Sequence, residues 1–441
     1  MNTSRKVLLV SYYFPPSGGA GVQRTLKFVK YLREYGWEPV VLTARNADYP
    51  AYDETLVSEI PPGVRVYRSR IIEPYQFYRR ITGRAMDAAT DIATLTLDSD
   101  QKRKFSERLS EWVRSAFFIP DARIGWLPFA ASLGAKIIDR EGISAIYSTA
   151  PPYTTHLIGL ALHQMTGLPW IVDFRDSWIG WLSTPQWRPR FSRALERWME
   201  RSVLREATRI LTVTPGVRED LLSRHPHLRD NRWQLLYNGY DPGDFESVTL
   251  RHKSGKITLI YTGSLYGNRN PEYLLRALES LRQEQPDLVT NLELLFVGRV
   301  GESILERMGS SGVSKHIRHI PYVTHAESIA WLKSADISLL IIDDAPENYG
   351  ILTGKLFEYI GAGHPILTLA PEGNAADLVR QHNLGLVAHP RDEQGIKKAL
   401  TDLVRQVESG MNKPKTGAFT AFTRQSLTGE LAAVLDAITS K

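Results

Sequence analysis

The sequence predicts an α/β protein of two domains, each built around a parallel sheet with helices on its faces. The first observation is length, because 441 residues exceed the size at which one hydrophobic core keeps growing. The second is that short apolar segments alternate with segments of helical periodicity along most of the chain. The third is that this alternation starts twice, each time with a glycine-containing turn after the first apolar segment. We therefore expect two copies of one kind of domain, with a ligand bound in a central cleft between them.

The N-terminal segment is typical of the first strand, turn and helix of a Rossmann-like domain. Lys6–Tyr12 predicts a buried parallel strand, and the helix predicted over Val22–Tyr35 follows the turn PPSGGAGVQR. Gly18, Gly19 and Gly21 lie in this turn, where glycine lets backbone N–H groups come close to a phosphate or a sugar. These three glycines are candidate ligand-binding residues.

The same segment does not carry the dinucleotide-binding fingerprint. Arg24 stands where the third glycine belongs. The second predicted strand, Pro39–Thr43, is followed by Ala44 and Arg45 instead of the acidic residue that would hold a ribose. A nicotinamide-dependent dehydrogenase is therefore disfavoured.

Polar residues follow a later predicted strand of the same half. Ile143–Ser148 and Pro169–Phe174 predict parallel strands, and the second runs into Arg175 and Asp176. Because open α/β sheets bind ligands beyond the carboxyl ends of their strands, both residues are site candidates. Alternatively, the pair fastens the loop. His156, on the helix between the two strands, is interpreted as a structural histidine.

Two basic or irregular segments interrupt the pattern. Residues 73–125 have mixed helical and polar character, and we interpret them as an insertion that shapes an acceptor site; a structural helical cover is the alternative.

Arg188–Arg209 holds seven arginines and three glutamates, with Phe191, Leu195 and Trp198 at helical spacing. Such a helix can lie on an anionic membrane surface, or its apolar stripe can pack on its own domain. The net charge of +6 comes without a nucleic-acid motif, so no nucleic-acid partner is predicted.

The C-terminal half repeats the alternation after a polar linker that ends near Lys256. Its predicted elements are the strand Ile257–Thr262, the turn Gly263–Asn270, the helix Pro271–Gln283, the strand Leu292–Val297, the strand around Ile317–Ile320, the helix His325–Ser334 and the strand Ile337–Ile342.

The most informative stretch of this half is Tyr349–Pro371, which predicts a loop, a short helix over Lys355–Ile360 and a buried strand. Lys355 and Glu358 are three residues apart, so both lie on one face near the helix start. The free N–H groups there and Gly354 favour a closely bound anion. A sugar nucleotide fits such a site, with its diphosphate at Lys355 and its ribose at Glu358. The alternative is a solvated Lys–Glu pair, which contributes about 0.2–0.5 kcal/mol.

Several functions are excluded by residues that are missing. The chain has no cysteine, so disulfides, thiolate zinc sites and thiol catalysis are excluded. Gly350–Leu356 has three residues between its glycines and no Ser or Thr after the lysine, unlike a P-loop. No zinc-protease or hydrolase motif occurs, and Asp343 and Asp344 are interpreted as solvated loop carboxylates, so neither a metal nor a cofactor is predicted. The apolar run Val7–Val10 is too short for a signal peptide and no run has membrane-spanning length, so a cytoplasmic location is expected.

The chain resembles the GT-B glycosyltransferases, and within them the family-four group of retaining enzymes. The segments that carry the resemblance are SYYFPPSGGAGVQRTLKFVKYLREYGWEPVVLTA, LLYNGYDPGDF, IYTGSLYGNRNPEYLLRAL and KLFEYIGAGHPIL. Their order and spacing extend the resemblance over nearly the whole chain. STAPPYTTHLIGLALHQMTGLPWIVDFRDSW is similar to segments of enzymes that make bacterial surface polysaccharides and lipid-linked glycans.

The resemblance implies a metal-independent, hexosyltransferase-type enzyme that takes a sugar from a nucleotide-sugar donor to a glycan or lipid-linked acceptor. It places Glu358 at the donor ribose, Lys355 and the Gly354 backbone at the diphosphate, and Gly19 at a donor phosphate or the acceptor. The further residues it implies are Arg269 as a second phosphate cation, Arg299 as a phosphate candidate, Gly263 and Ser264 in the donor turn, Tyr322 and Val323 beside the base, and Arg175 and Asp176 on the acceptor side. The charge that develops on the leaving diphosphate would be stabilised by these cations and N–H groups.

Two positions depart from the family pattern. Gly350 stands eight residues before Glu358, where many members have a second glutamate near the donor sugar, and Arg175 stands where many have histidine. These departures keep two other hypotheses open: a GT-B sugar-nucleotide epimerase, and a non-catalytic sugar-nucleotide-binding partner subunit.

The resemblance also sets the expected domain boundaries. We expect an acceptor-side domain over residues 1–245, a donor-binding domain over 246–415, and a C-terminal helix within 416–441 that returns to the first domain. Peripheral contact with the inner face of an anionic membrane is a possible partner interaction of such an enzyme.

Overall fold

The computed structural model describes residues 5–49, 51–72, 119–179, 190–246, 248–251, 255–410 and 419–440. These residues form two compact units, the first made of the chain up to Tyr237 together with the segment from Arg424, and the second made of Asn238–Thr423. The insertion predicted over 73–125 lies outside the described residues up to 118. The predicted class of two parallel-sheet, Rossmann-like domains is confirmed.

Each unit contains one all-parallel sheet. The strands are β1 (Arg5–Val10), β2 (Trp37–Ala44), β3 (Arg65–Ser69), β4 (Ala145–Ala150), β5 (Trp170–Phe174), β6 (Arg209–Thr212), β7 (Trp233–Leu235), β8 (Ile257–Thr262), β9 (Leu292–Val297), β10 (Ile317–Ile320), β11 (Ile337–Ile341), β12 (Ile366–Leu369) and β13 (Gly385–Ala388). The first sheet has the order β3-β2-β1-β4-β5-β6-β7 and the second has the order β10-β9-β8-β11-β12-β13. The strand order reverses beside β1 and beside β8, and the loops that leave these points are where such sheets bind ligands.

Helices connect the strands. They are α1 (Ala20–Tyr31), α2 (Leu127–Glu141), α3 (Thr154–Thr166), α4 (Arg190–Glu206), α5 (Pro215–Arg224), α6 (Pro242–Glu246), α7 (Glu272–Glu284), α8 (Pro286–Thr290), α9 (Glu302–Ser310), α10 (His325–Lys333), α11 (Gly354–Ala362), α12 (Asn374–Gln381), α13 (Glu393–Glu408) and α14 (Arg424–Thr439). Short 3-10 turns cover Leu32–Tyr35, Glu54–Glu59, Ile124–Trp126, Pro226–Leu228, Ser314–His316, Pro346–Gly350 and Thr420–Phe422.

Local sequence explains where several helices begin and end. Thr214 caps α5 by accepting a hydrogen bond from the N–H of Val217, at 3.0 Å. Thr324 and Glu327 form a reciprocal capping box at the start of α10. The helix predicted over Val22–Tyr35 instead ends at Tyr31 and tightens into a 3-10 turn, because Gly36 adopts a left-handed conformation and donates back to Arg33.

The central strands of the first sheet are buried, and this sheet carries a hydrophobic cluster on each face. In the first unit the helix α14 contributes Leu427, Leu431 and Leu435 to the same buried cluster as Val7 and Leu9 of β1. Leu431 and Leu435 are 1% and 0% exposed, which makes α14 an integral layer of this unit although it comes last in the sequence.

Candidate functional site

The predicted donor-site residues of the second unit come together at the carboxyl ends of β8, β9 and β11. Gly263, Ser264 and Arg269 lie in the loop after β8, and Arg299 lies in the loop after β9. The loop after β11 leads into α11, whose second residue is Lys355. Since β8 and β11 are neighbours at the point where the strand order reverses, these loops border one crevice of the unit.

Lys355 rests on a buried tyrosine that sequence reasoning did not identify. Its Nζ donates to the Tyr261 hydroxyl at 2.6 Å and lies 4.3 Å from the centre of the Tyr261 ring. The Tyr261 hydroxyl in turn donates to the Ser264 carbonyl at 2.8 Å, and burial raises its pKa well above the usual value. The phenol therefore stays neutral and holds the ammonium in a fixed position at the helix start.

Two glycines make room for the lysine side chain. A Cβ on Gly263 would lie 2.4 Å from Cε and 2.8 Å from Nζ of Lys355, and the φ of Gly263 is +102°. A Cβ on Gly298 would lie 2.5 Å from the Gly263 carbonyl oxygen. The structure thus shows a packing requirement for Gly263, in addition to the predicted contact with a donor.

The crevice is short of negative charge. Burial, followed by the repulsion of Arg269, lowers the pKa of Lys355 to about 7, and the attraction of Glu358 only partly opposes this shift. Arg269 forms one long ion pair, with 4.0 Å between its Nε and Oδ1 of Asp343. Lys355 forms no ion pair with a residue that the structure describes, so an anion bound beside it would be attracted by both cations.

The start of α11 offers further donors to an anion. The side chain of the capping residue Thr353 accepts no hydrogen bond from the first turn. Its Oγ1 is buried and has no hydrogen-bond partner among the residues that the structure describes. The N–H groups of the first turn, which start at Gly354, lie at the positive end of the helix dipole, and a Cβ on Gly354 would meet no atom within 4 Å.

Glu358 lies one turn further along α11 and contacts a residue that was not predicted. Its Oε1 is 3.2 Å from Nε2 of His325, the first residue of α10, and both side chains are about one-fifth exposed. The sequence signal that locates His325 is the capping box at Thr324, which fixes the start of that helix.

The residues predicted beside the base lie near the start of α10. Arg299 stacks its guanidinium 5.0 Å from the Tyr322 ring, and Val323 lies between Tyr322 and the cap of α10.

In the first unit, the predicted glycines form the turn into α1. Gly19 is the residue before the helix, has a φ of +84°, and has open space where a Cβ would lie, with no atom within 4 Å. The N–H of Gly18 already donates to the Ala51 carbonyl at 2.8 Å. Gly21 accepts at its carbonyl from Arg175 Nη1 at 2.6 Å.

Arg175 fastens three loops of the first unit together. Besides Gly21, it donates to the carbonyls of Ala150 at 3.1 Å and Pro151 at 2.5 Å. Its guanidinium is thereby directed at backbone, whereas the neighbouring Asp176 is exposed just beyond β5. Of this predicted pair, Arg175 is held by backbone carbonyls, whereas the side chain of Asp176 is exposed.

A buried ion pair explains the arginine that breaks the dinucleotide fingerprint. Arg24 Nε and Nη2 each lie 2.8 Å from a carboxylate oxygen of Asp173, and both side chains are almost completely buried. Asp173 also accepts from Tyr147 at 2.6 Å and from Thr149 at 2.8 Å. Burial alone would raise the pKa of Asp173, but Arg24 and these donors hold it below the usual value. This network ties the start of α1 to β5 and thereby positions the glycine turn.

His156 is structural in its surroundings. Burial lowers its pKa to about 3, so the ring is neutral at pH 7, and its Nδ1 is 2.9 Å from the Ser148 hydroxyl.

The first unit also contains a cavity of about 180 Å³ at the carboxyl edge of its sheet. Trp178 and Tyr153 form one wall, with their rings stacked 4.9 Å apart. The other lining residues are Tyr13, Pro120, Asp121, Arg123, Pro151, Pro152 and Glu196. Aromatic side chains at such a cavity suit a sugar ring, because they can cover its apolar face. The Asp121 carboxylate already accepts from the N–H groups of Arg123 and Thr154.

The described residues contain neither a metal-binding cluster nor a membrane-crossing helix. Among them, no three His, Asp or Glu side chains lie close enough together to hold a metal ion. None of the described helices combines the length and the apolar character needed to cross a membrane.

Two family models match the chain in sequence order. The model described as a glycosyl transferase 4-like domain matches residues 18–239, and the model described as glycosyl transferases group 1 matches residues 256–406. The first match alone covers half of the chain.

Curated and solved proteins show the same similarity. Glycogen synthase from Mycobacterium tuberculosis is 23% identical over 252 residues, which are 57% of this chain and 56% of that protein. The capsular polysaccharide biosynthesis glycosyltransferase CapH of Staphylococcus aureus is 26% identical over 156 residues, which are 34% of this chain and 40% of that protein. This chain thus spans about half the length, or less, of these two relatives. The crystal structure of Anabaena HepE in complex with UDP has a TM-score of 0.61 at 11% identity, covering 98% of this chain and 100% of that one.

Proposed function

This chain belongs to the glycosyltransferases that join a glycosyl transferase 4-like domain to a group 1 domain in a GT-B fold, and from that premise we propose that it transfers a sugar from a nucleotide-sugar donor to an acceptor. The donor binds the second unit at the crevice around Lys355. The acceptor, a glycan or a lipid-linked glycan, binds the first unit at the cavity lined by Tyr153, Trp178 and Glu196. The CapH relative favours a role in surface polysaccharide synthesis.

The observation that carries the donor assignment is the crowded, desolvated pair of cations. Lys355 has a pKa of about 7 in the unliganded protein because burial and Arg269 disfavour its charged form. A diphosphate supplies the missing negative charge, accepts from both cations and from the N–H groups of α11, and so restores the charged lysine. A neutral ligand offers none of these gains.

The remaining donor contacts follow from the neighbours of this anion site. Glu358 accepts from the ribose hydroxyls, and its 3.2 Å contact with His325 fixes the orientation of the carboxylate. Arg299 and the exposed Tyr322 ring border the base. Val323, Ser264 and Gly354 complete the lining of the second unit. In the first unit we propose that the turn of Gly18, Gly19 and Gly21 binds a phosphate or a sugar through the backbone of Gly19 and Gly21, because the N–H of Gly18 already donates to Ala51.

The reaction breaks the bond between the sugar C1 and the diphosphate oxygen and forms a bond from C1 to the acceptor oxygen. Negative charge develops on the leaving diphosphate, where Lys355, Arg269 and the helix N–H groups stabilise it. The acceptor hydroxyl gives its proton to an oxygen of the leaving diphosphate as the new bond forms. We propose transfer of a hexose with retention of configuration, as the resemblance to retaining enzymes implies. We also propose that no metal ion is needed, because the two cations and the helix dipole stabilise the leaving group.

The direct test of this function is product analysis with a panel of nucleotide sugars, each supplied with and without glycan and lipid-linked acceptors. We expect release of the nucleoside diphosphate together with a labelled acceptor, and proton NMR of that product reports its anomeric configuration. Conversion of the donor alone into an isomeric nucleotide sugar would identify an epimerase. Nucleotide binding without turnover across the whole panel would identify a non-catalytic binding subunit.

The affinity for UDP is expected to fall as the pH rises from about 7 to 9. Below pH 7 the unliganded Lys355 is already protonated, whereas above it the lysine must take up a proton when the diphosphate binds. The loss is up to about tenfold per pH unit until the raised pKa of the complex is reached. Calorimetry in buffers of different ionisation enthalpy measures both the affinity and the proton uptake. Lys355→Met should bind weakly with no such slope; a slope that persists in this variant would assign the proton to another group.

A further inference from the structure

The helix α4 exposes large apolar side chains and buries two of its glutamates, the opposite of an ordinary amphipathic helix on a protein surface. Phe191, Leu195 and Trp198, spaced by four and three residues, form one stripe and are 59%, 38% and 63% exposed. The expectation that this stripe packs on its own domain is therefore wrong. We call Phe191, Leu195 and Trp198 the apolar stripe of α4.

The inward side of α4 is fixed by polar contacts, so the exposure of the stripe does not come from a loosely placed helix. Glu200 is 0% exposed and binds Arg224 through two hydrogen bonds, at 2.9 and 3.0 Å, and His225 at 2.9 Å. Val203 and Leu204, both 0% exposed, anchor the last turn in the core. Rotating the helix to bury the stripe would bring these carboxylate contacts into solvent and expose the anchors.

Positive charge accompanies the stripe. Arg190, Arg193, Arg197 and Arg201 are all exposed, and none forms an ion pair with a residue that the structure describes. At 100° per residue, Arg190, Arg197 and Arg201 lie along one edge of the stripe. The acidic residues of the helix do not cancel this charge, because Glu196 and Glu200 face inward and Glu206 pairs with Arg205.

We propose that the apolar stripe and its arginines form a contact surface for an anionic lipid membrane. Aromatic and aliphatic side chains enter the interface between headgroups and acyl chains, while the arginines beside them meet lipid phosphates. This combination of three large apolar groups with exposed cations on one helix face supplies both signals that stable peripheral binding needs. A nucleic acid would use the cations but leave the stripe in water.

The opposite side of the same helix lines the cavity of the first unit. Glu196 belongs to α4, is 1% exposed, and borders that cavity together with Trp178 and Tyr153. A helix is about 10 Å across, so a membrane on one side of α4 is within about 10 Å of the cavity on the other. This part of the inference rests on the proposed function: an acceptor with a lipid anchor can reach the cavity without leaving the membrane.

The test measures partition of the full chain onto vesicles of phosphatidylcholine, with and without phosphatidylglycerol, by flotation. We expect binding only with phosphatidylglycerol, and a strong decrease at about 0.5 M salt because screening acts within a few ångströms there. Trp198→Ser should lower the partition coefficient by roughly tenfold. Arg190→Gln, Arg197→Gln and Arg201→Gln together should lower it about a hundredfold, at about fivefold (about 1 kcal/mol) each.

Matched controls come from other helices of the same unit. Met165, on α3, is 61% exposed, and Lys136 and Arg140, on α2, are exposed cations. Met165→Ser and the pair Lys136→Gln with Arg140→Gln should leave the partition unchanged. All these positions are exposed, so the variants should melt at the wild-type temperature.

Three results would overturn the proposal: no difference between the two vesicle types, equal losses in the control variants, or a stripe that is instead covered by a second copy. In the last case Trp198→Ser would convert a dimer to a monomer in sedimentation, and wild type would not float with vesicles. Binding to DNA that Trp198→Ser leaves intact, without vesicle binding, would identify a nucleic-acid surface instead. Because flotation needs no donor, a failed transfer assay with normal flotation rejects the proposed function but leaves the lipid surface in place.

Discussion

Lys355→Ala is expected to lower the affinity for the nucleoside diphosphate of the donor by about a hundredfold and to leave the affinity for the matching nucleoside unchanged, with UDP and uridine as the first probes. Only the diphosphate opposes the charge of this lysine, and a hydrogen bond to a charged group contributes about 1.5–3 kcal/mol, which is ten- to more than a hundredfold in affinity. Titration calorimetry with UDP and with uridine separates the two ligands. The Tyr261 hydroxyl holds Lys355 Nζ in place at the start of α11. If the bound diphosphate is also the leaving group, removing this charge should lower the rate of transfer as well.

Two companion variants make this result specific. Lys355→Met keeps a chain of similar length against the Tyr261 ring but carries no charge, and it should lose UDP affinity as strongly as alanine does. It should also raise the melting temperature of the unliganded protein at pH 7, because a desolvated cation has been removed. Lys315→Ala, at an exposed lysine of the same unit, should change neither quantity. Equal losses for uridine and UDP in Lys355→Ala would show that the lysine only maintains the fold.

Asp173→Ala is expected to lower the free energy of unfolding of the first unit by about 3–5 kcal/mol, the range for breaking one partner of a buried ion pair. The variant leaves Arg24 charged and buried, with 1% of its side chain exposed. It also removes the acceptor to which the hydroxyls of Tyr147 and Thr149 donate. Urea unfolding followed by tryptophan fluorescence measures the loss, because Trp37, Trp126 and Trp170 are all buried in this unit.

A surface variant and a double variant show whether the loss of stability in Asp173→Ala comes from the buried ion pair. Asp230→Ala breaks an exposed pair with Arg232 and should cost less than about 1 kcal/mol. Arg24→Met combined with Asp173→Leu should recover much of the stability, since no buried charge is left alone. In the wild type, the lowered pKa of Asp173 means that its contribution is present above about pH 4 and is lost as the pH falls through that lowered value. A loss in Asp173→Ala no larger than in Asp230→Ala would contradict the assigned role of the network.

Features that depend on residues close together in the chain were predictable from the sequence. The apolar runs that became β1, β8 and β11, and the glycine turn before α1, are local patterns of hydrophobicity and backbone freedom. The pair Lys355 and Glu358 could be proposed as site residues for the same reason, because both belong to one short helix. The reversed orientation of α4 was not predictable from its periodicity, since an amphipathic pattern gives the stripe but not the side on which the domain lies.

The sequence by itself determined the class of the fold, the order of its elements and the position of the candidate anion site on α11, because these depend on periodicity, helix starts and glycine. The tertiary structure alone decided which distant side chains complete the sites. Tyr261 lies 94 residues before Lys355, His325 lies 33 residues before Glu358, and Arg24 lies 149 residues before Asp173. Such contacts arise when parallel strands bring the ends of remote loops to one edge of a sheet, and burial then gives the assembled charges the pKa shifts and energies that no single segment carries.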